Sequence, residues 1–215
     1  VSINIRFWDR LARRYARMPL RDPETYERKL AMTRAHLAPG ARVFEIGCGT
    51  GTTALKHAPH AGHVTAIDCS ANMIGIARDK AAAEGIANVT FEVASLEDMP
   101  DTPGAWDMVM AHNVLHLLPD RPGALLRIHR MLKPGGAFVS STACAARAPW
   151  AFRAIVRTGH ALRLLPLFNF LTEDGLKAEI EAAGFEIAEE WLPPGGRSAL
   201  FLIARKKNEL PRGPS

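Results

Sequence analysis

Three glycines at alternate positions, Gly47, Gly49 and Gly51, stand between a short apolar run and a helical pattern, and they constrain the fold more than any other feature. Residues 43–46 read as a strand, and a helix begins near Thr52 and stops before Pro59. Glycine tolerates positive φ and lets another group approach bare backbone, so this is a strand–turn–helix that offers helix N–H groups to a ligand. The same alternation continues downstream. A strand at 63–67 ends on Asp68, Ser70 is placed to cap a helix running to about Glu84, and Gly85 stops it. Strands follow at 89–93 and 106–111, then a helix over 121–132, a tight turn at 133–136 and a strand at 137–141. Strands alternating with helices predict a parallel sheet covered on both faces. The end of the chain differs: Thr172 caps a helix to Ala183, and strands at 185–191 and 199–205 follow with a short connection. A parallel return needs a crossover of about a dozen residues, so these two strands must be antiparallel.

At 215 residues with 47% apolar and 23% charged positions, the chain has the length and balance of one globular domain. Cys48, Cys69 and Cys144 show no metal or disulfide spacing, and no metal site is expected. The sequence shows neither a charged-then-apolar leader nor an apolar run long enough to span a bilayer, so the expected location is cytoplasmic. Residues 208–215 are polar and rich in Pro and Gly, and read as a frayed tail. The net charge of +5 is unevenly placed. Arg6, Arg10, Arg13, Arg14, Arg17 and Arg21 crowd the first helical stretch, where Phe7, Leu11 and Tyr15 form an apolar stripe. Arg147, Arg153, Arg157 and Arg163 lie in a second stretch that is free of acids up to Thr172.

A glycine-rich turn alone is a weak signal, but Asp68 joins it at the end of the next strand. A carboxylate there can hold both hydroxyls of a ribose. The spacing Gly-x-Gly-x-Gly departs from the dinucleotide pattern Gly-x-Gly-x-x-Gly, and Glu45 lies two residues ahead of it. An acid so close would repel a pyrophosphate and suit an ammonium-bearing ligand. The reading therefore favours a sulfonium nucleoside over NAD.

The segments EIGCGTG, VTAID, WDMVMAHNVLHLLPD and MLKPGGAFV together resemble the class I methyltransferases, in particular the branch acting on quinone rings, sterols and phospholipid headgroups. The resemblance is good over residues 42–141, moderate over the C-terminal strand pair, and poor over the first forty residues and 148–171. It implies an α/β, Rossmann-like sheet of seven strands, mostly parallel, with helices on both faces and the last strand antiparallel. Residues 1–41 would form an N-terminal helical lid, 42–207 the methyltransferase domain, and 148–171 a lid insertion within it. The implied cofactor is S-adenosyl-L-methionine. By position, Gly47, Cys48, Gly49 and Gly51 would surround its methionine and ribose, with Glu45 supporting the loop. Asp68 would bind the ribose, Cys69 and Met73 would pack on adenine, and His112 would contact the methionine part. Ser95 stands where relatives often carry an Asp for the adenine amino group. The backbone of Leu96 would serve the adenine ring nitrogen.

Methyl transfer needs alignment and exclusion of water more than covalent or metal chemistry. His112 and His116 are the candidate bases, four residues apart after the fourth strand. Trp8 and Tyr15 of the first helical stretch, with Trp150 and Phe152 of the insertion, are the candidate lid residues over a small-molecule acceptor. The insertion is apolar and basic together, as in helices that lie on anionic membranes. Nucleic acid is not expected, because Ala111-His112-Asn113-Val114 lacks the Pro-Pro-aromatic signature of base-modifying enzymes. The alternatives are a non-catalytic S-adenosylmethionine-binding module, an enzyme acting on a membrane phospholipid headgroup, and a nicotinamide dehydrogenase.

Overall fold

The computed structural model describes residues 3–20, 22–194 and 199–207; Arg21, the glycines of the last connection and the tail at 208–215 lie outside them. Among the described residues one sheet is built from β1 (Arg42–Ile46), β2 (His63–Asp68), β3 (Val89–Val93), β4 (Trp106–His112), β5 (Leu132–Ala143), β6 (Phe185–Trp191) and β7 (Ala199–Lys206). Their spatial order is β3-β2-β1-β4-β5-β7-β6. β7 runs antiparallel to β5 and β6, and the pairs from β3 to β5 are parallel. The order reverses between β1 and β4, and at such a switch point the strand ends diverge and open a crevice.

The helices are α1 (Ile3–Ala16), α2 (Pro23–Arg34), α3 (Thr52–His57), α4 (Ala71–Ala83), α5 (Arg121–Met131), α6 (Trp150–Ala161) and α7 (Glu173–Ala182). Expected caps are in place. The Ser70 hydroxyl accepts from the Met73 N–H at 3.1 Å, and Thr172 accepts from Gly175 at 3.0 Å. Strand alternation divides the core in two. On one face Phe44, Val109 and Phe138 meet Leu125, Ile128 and Leu176 of α5 and α7. On the other, Val43, Met110, Val139 and Phe201 meet Ala54, Leu55 and Ile74 of α3 and α4.

Two details depart from the sequence expectation. β5 starts at Leu132, which pairs with Trp106, and the 133–136 turn is an irregularity within the strand before Ala137 pairs with Met108. In α1 the expected stripe Phe7–Leu11–Tyr15 is not the buried one. Ala12 is fully buried, with Trp8 and Tyr15 on its side, while Phe7 and Leu11 line a separate surface groove. A small side chain at Ala12 lets α1 approach the domain closely, which a count of large residues does not reveal.

Candidate functional site

The site lies at the carboxyl ends of β1, β2 and β4, where a cleft of about 170 Å³ opens. Its base is the glycine turn, in which the three glycines do different things. A Cβ on Gly47 would fall 2.8 Å from Val114 Cγ2, and one on Gly51 would fall 2.7 Å from both Ala77 Cβ and the Phe91 ring. These two let neighbouring elements close in. At Gly49, with φ +54°, the nearest atom is Tyr15 Cε1 at 3.9 Å, so its bare backbone faces the cleft.

Asp68 ends β2 opposite this turn. Its Oδ2 accepts the Gly49 N–H at 3.0 Å and its Oδ1 accepts the Ser70 N–H at 2.9 Å. Burial raises its pKa, and the two amide bonds work against that rise. Behind it, Ser70 donates to Asp9 Oδ1 at 2.6 Å, and the Asn72 side chain donates to the Asp9 carbonyl at 3.0 Å. Asp9 thereby pins α1 over the cleft and delivers Trp8 and Tyr15 to its wall. The sequence reading missed Asp9, although it is the single acid of an arginine-rich helix.

The far wall is apolar, with Ile67, Met73, Ala94, Leu96 and Leu118. Cys69 adds a thiol pushed up to about 12 by burial and by Asp68, so it stays neutral. Ser95 donates its hydroxyl to Asp98 Oδ2 at 2.7 Å, which leaves its lone pairs to accept from a ligand. An amino-bearing aromatic base fits such a wall.

Other expected residues sit elsewhere. Cys48 is buried and outside the lining. Glu45 lies beneath the loop, 2% exposed, with an unpartnered Oε2. Burial, reinforced by Asp68, pushes its pKa up to about 8. The folded chain thus keeps a proton that the unfolded chain loses in the ordinary carboxylate range, and this group's contribution to stability falls as pH rises from there to about 8. Glu45→Gln is expected to raise the melting temperature relative to wild type by an amount that grows between about pH 6 and pH 8. A difference that stays constant across that range would show the carboxyl to be hydrated.

The two histidines separate. His112 ends β4 and lines the cleft; its ring lies parallel to Phe201 at 6.4 Å, and its Nε2 is enclosed without a partner. Burial, with Lys29 nearby, lowers its pKa to about 4, so the ring is neutral at physiological pH. His116 does not line the cleft. It sits in the short 3-10 turn Leu115–Leu117 and packs on Phe168 at 4.8 Å, and its carbonyl accepts the Asn169 N–H at 2.8 Å. It holds down the segment after α6. Trp150 and Phe152 are likewise outside the cleft: Trp150 is 83% exposed and Phe152 meets Phe170 edge-on at 6.3 Å. Asn113, at φ +56°, lines the cleft and was not singled out from sequence. An asparagine directly after a strand was its signal, since Asn enters the left-handed region at little cost.

Residues 43–136 match a family described as "Methyltransferase domain". The chain is 35% identical over 153 residues to a ubiquinone biosynthesis O-methyltransferase of Xanthomonas campestris pv. campestris, covering 70% of this chain and 63% of that protein. It is 29% identical to a ubiquinone/menaquinone biosynthesis C-methyltransferase of Brucella anthropi, covering 75% and 70% respectively. The chain spans just under two thirds of the first of these relatives. Among solved structures, an S-adenosylmethionine-dependent methyltransferase from Mesorhizobium loti superposes with a TM-score of 0.70 at 23% identity, covering 86% of this chain and 99% of that one. Residues 43–136 therefore form a methyltransferase domain, and the chain shares its fold with solved S-adenosylmethionine-dependent methyltransferases.

Proposed function

We propose that this protein methylates a small lipophilic acceptor, a quinone-type ring or its phenolic precursor. The observation that carries the reading is the continuity of the cleft. Asp68 and Gly49 stand at one end, and His112 and Asn113 at the other, where a second small cavity begins. The names of the similar proteins, an O-methyltransferase and a C-methyltransferase of quinone biosynthesis, support the acceptor class. When bound, S-adenosylmethionine supplies an electrophilic methyl group on its sulfonium. The residues of this chain have three tasks. Asp68 and the Gly49 backbone fix the nucleoside, Trp8 and Tyr15 exclude water from above, and neutral His112 orients the acceptor. With its pKa near 4, His112 is a weak base, so the acceptor's own acidity would govern proton loss. His116, directed into Phe168, supports the lid segment in this reading.

Peripheral contact with an anionic membrane is part of the proposal. No residue of α6 is buried, and Trp150, Phe152 and Ile155 are exposed on it. Beside it Arg6, Arg10, Arg14 and Arg163 surround a groove with Phe7, Leu11 and Leu164, and none of the four arginines has an ion-pair partner among the described residues. Exposed aromatic residues beside unpaired arginines suit a headgroup layer. No helix among the described residues is long and apolar enough to cross a membrane.

Incubation with S-adenosylmethionine and a prenylated catechol in anionic vesicles is expected to yield S-adenosylhomocysteine and methylated acceptor. Tight cofactor binding with no product across a phenol and quinol panel would favour the non-catalytic module. Flotation with the same vesicles is expected at low salt and lost when Trp150 and Ile155 are both replaced by Asp; failure of the wild type to float removes the membrane contact.

A further inference from the structure

A separate opening lies on the insertion between β5 and α7. The chain reverses after α6 at Arg163, whose φ is +61°, and returns beside the helix to Phe170. The turn is drawn tight, because the Leu164 and Leu165 N–H groups both donate to the Gly159 carbonyl, at 2.8 and 3.1 Å. A Cβ on Gly159 would fall 2.6 Å from Leu165 Cδ1, so a larger residue would push the returning segment away. Beyond that contact the helix does not close. No residue of α6 is buried, and the gap is a trough of about 260 Å³ with Val156, Arg157, His160, Phe168, Asn169 and Phe170 on its walls. Its apolar side chains are only half-buried, and no acid lines it. Arg153 and Arg157 lie over Phe170, 5.5 and 5.9 Å from the ring centre, and hold that ring in place. One wall of the trough backs onto the main cleft. Phe168 packs on His116 at 4.8 Å, the Asn169 N–H donates to the His116 carbonyl at 2.8 Å, and the Asn169 side chain donates to the Leu118 carbonyl at 2.9 Å. Leu117 and Leu118 line the cleft itself.

We infer that this trough is the seat of an apolar tail on the acceptor, an isoprenoid or alkyl chain whose ring reacts in the main cleft. The inference rests on the quinone-type reading above and names where the acceptor's lipophilic part goes. The polar groups of the trough are engaged within the chain. Asn169 bonds His116 and Leu118, the His160 Nδ1 donates to the Leu165 carbonyl at 3.3 Å, and the Arg157 guanidinium lies on Phe170. What remains for a ligand is aliphatic and aromatic surface, which favours an apolar occupant. The acyl chain of a membrane lipid has the same chemistry. The wall shared with the cleft favours the acceptor: Leu118 and Asn169 are directly bonded, so the two spaces stand back to back, and a chain on a ring beside Leu117 and Leu118 reaches the trough past Phe168.

The test compares catechols carrying no tail, one isoprene unit and two, assayed in solution without vesicles, and follows farnesol binding by calorimetry. In the wild type each added unit is expected to lower the acceptor KM by about tenfold, the scale set by burying about five carbons less the cost of ordering them. Val156→Trp fills the trough and Val156→Asp sets a charge in it. Each is expected to abolish farnesol binding and to flatten the KM series to within about threefold. The aspartate variant keeps the test readable should the indole turn out to solvent. A tail-length series that both variants leave intact would overturn the inference. So would an intact series with farnesol binding and vesicle flotation lost together, which would give the trough to a lipid acyl chain. Farnesol bound by the wild type and not by Val156→Asp, with no catechol turned over, would remove the acceptor reading and leave the apolar seat standing.

Discussion

Replacing Asp68 by alanine is expected to weaken S-adenosylhomocysteine binding by about a hundredfold or more. Each hydrogen bond from a ribose hydroxyl to a buried carboxylate contributes about 1.5–3 kcal/mol, and about 1.4 kcal/mol is a factor of ten. The substitution also releases the Gly49 and Ser70 amides that now donate to the two carboxylate oxygens. The turn therefore loses its brace at the same time as the ligand loses its acceptor. Asp68→Asn separates these effects, because the amide oxygen still accepts one backbone bond while the charge is gone. It is expected to fall between wild type and Asp68→Ala. Unchanged affinity in Asp68→Ala, measured by calorimetry, would mean that the ribose is held elsewhere.

The second large effect is on stability. Gly51→Val places a branched side chain where the first carbon alone would sit 2.7 Å from Ala77 Cβ and from the Phe91 ring. Its backbone is at φ +74°, a region that β-branched residues avoid. Overpacking and backbone strain together are expected to cost about 3 kcal/mol or more. For a domain of this size that lowers the melting temperature by roughly 6–12 °C. Gly49→Ala is the contrast. It carries the same kind of strain into open space, so about 1–2 kcal/mol of stability is lost. Its methyl group projects into the cleft, and cofactor binding should suffer out of proportion to folding. Equal melting points for Gly51→Val and wild type would show that α4 and β3 do not close on this turn as described.

The first half of the sheet was legible because local pattern and tertiary role coincide there. The strand before Gly47, the cap at Ser70 and the carboxylate ending β2 are each set by residues a few positions apart, and a parallel sheet buried on both faces tolerates few alternatives. The final hairpin was legible from loop length alone. Less was legible where a side chain's direction depends on irregular backbone. His112 ends a strand, so alternation fixes its face, whereas His116 lies in a 3-10 turn that sends it to Phe168. The sequence presents them as an equivalent pair four residues apart. Trp150 and Phe152 were expected over the pocket because the insertion is apolar. The helix they occupy instead keeps its apolar residues exposed, and nothing in its periodicity says which face meets the domain. His116, Val156 and Phe168 come from three separate segments. Only the return of the chain after α6 brings Phe168 against the first and beside the second.

The glycine turn therefore does less than its spacing implied and is also more differentiated. Gly51 serves packing, Gly47 both closes on Val114 and lines the cleft, and Gly49 faces it across open space. What favours a sulfonium nucleoside over a dinucleotide is the Gly-x-Gly-x-Gly spacing with Glu45 beneath the turn, since a ribose-binding carboxylate such as Asp68 suits both.

The most direct measurement of that claim is a calorimetric titration of the wild-type protein with S-adenosylhomocysteine and, separately, with NAD. Saturable binding of S-adenosylhomocysteine at one site per chain, with no heat from NAD, is the predicted result. Binding of NAD with none of S-adenosylhomocysteine would contradict the account.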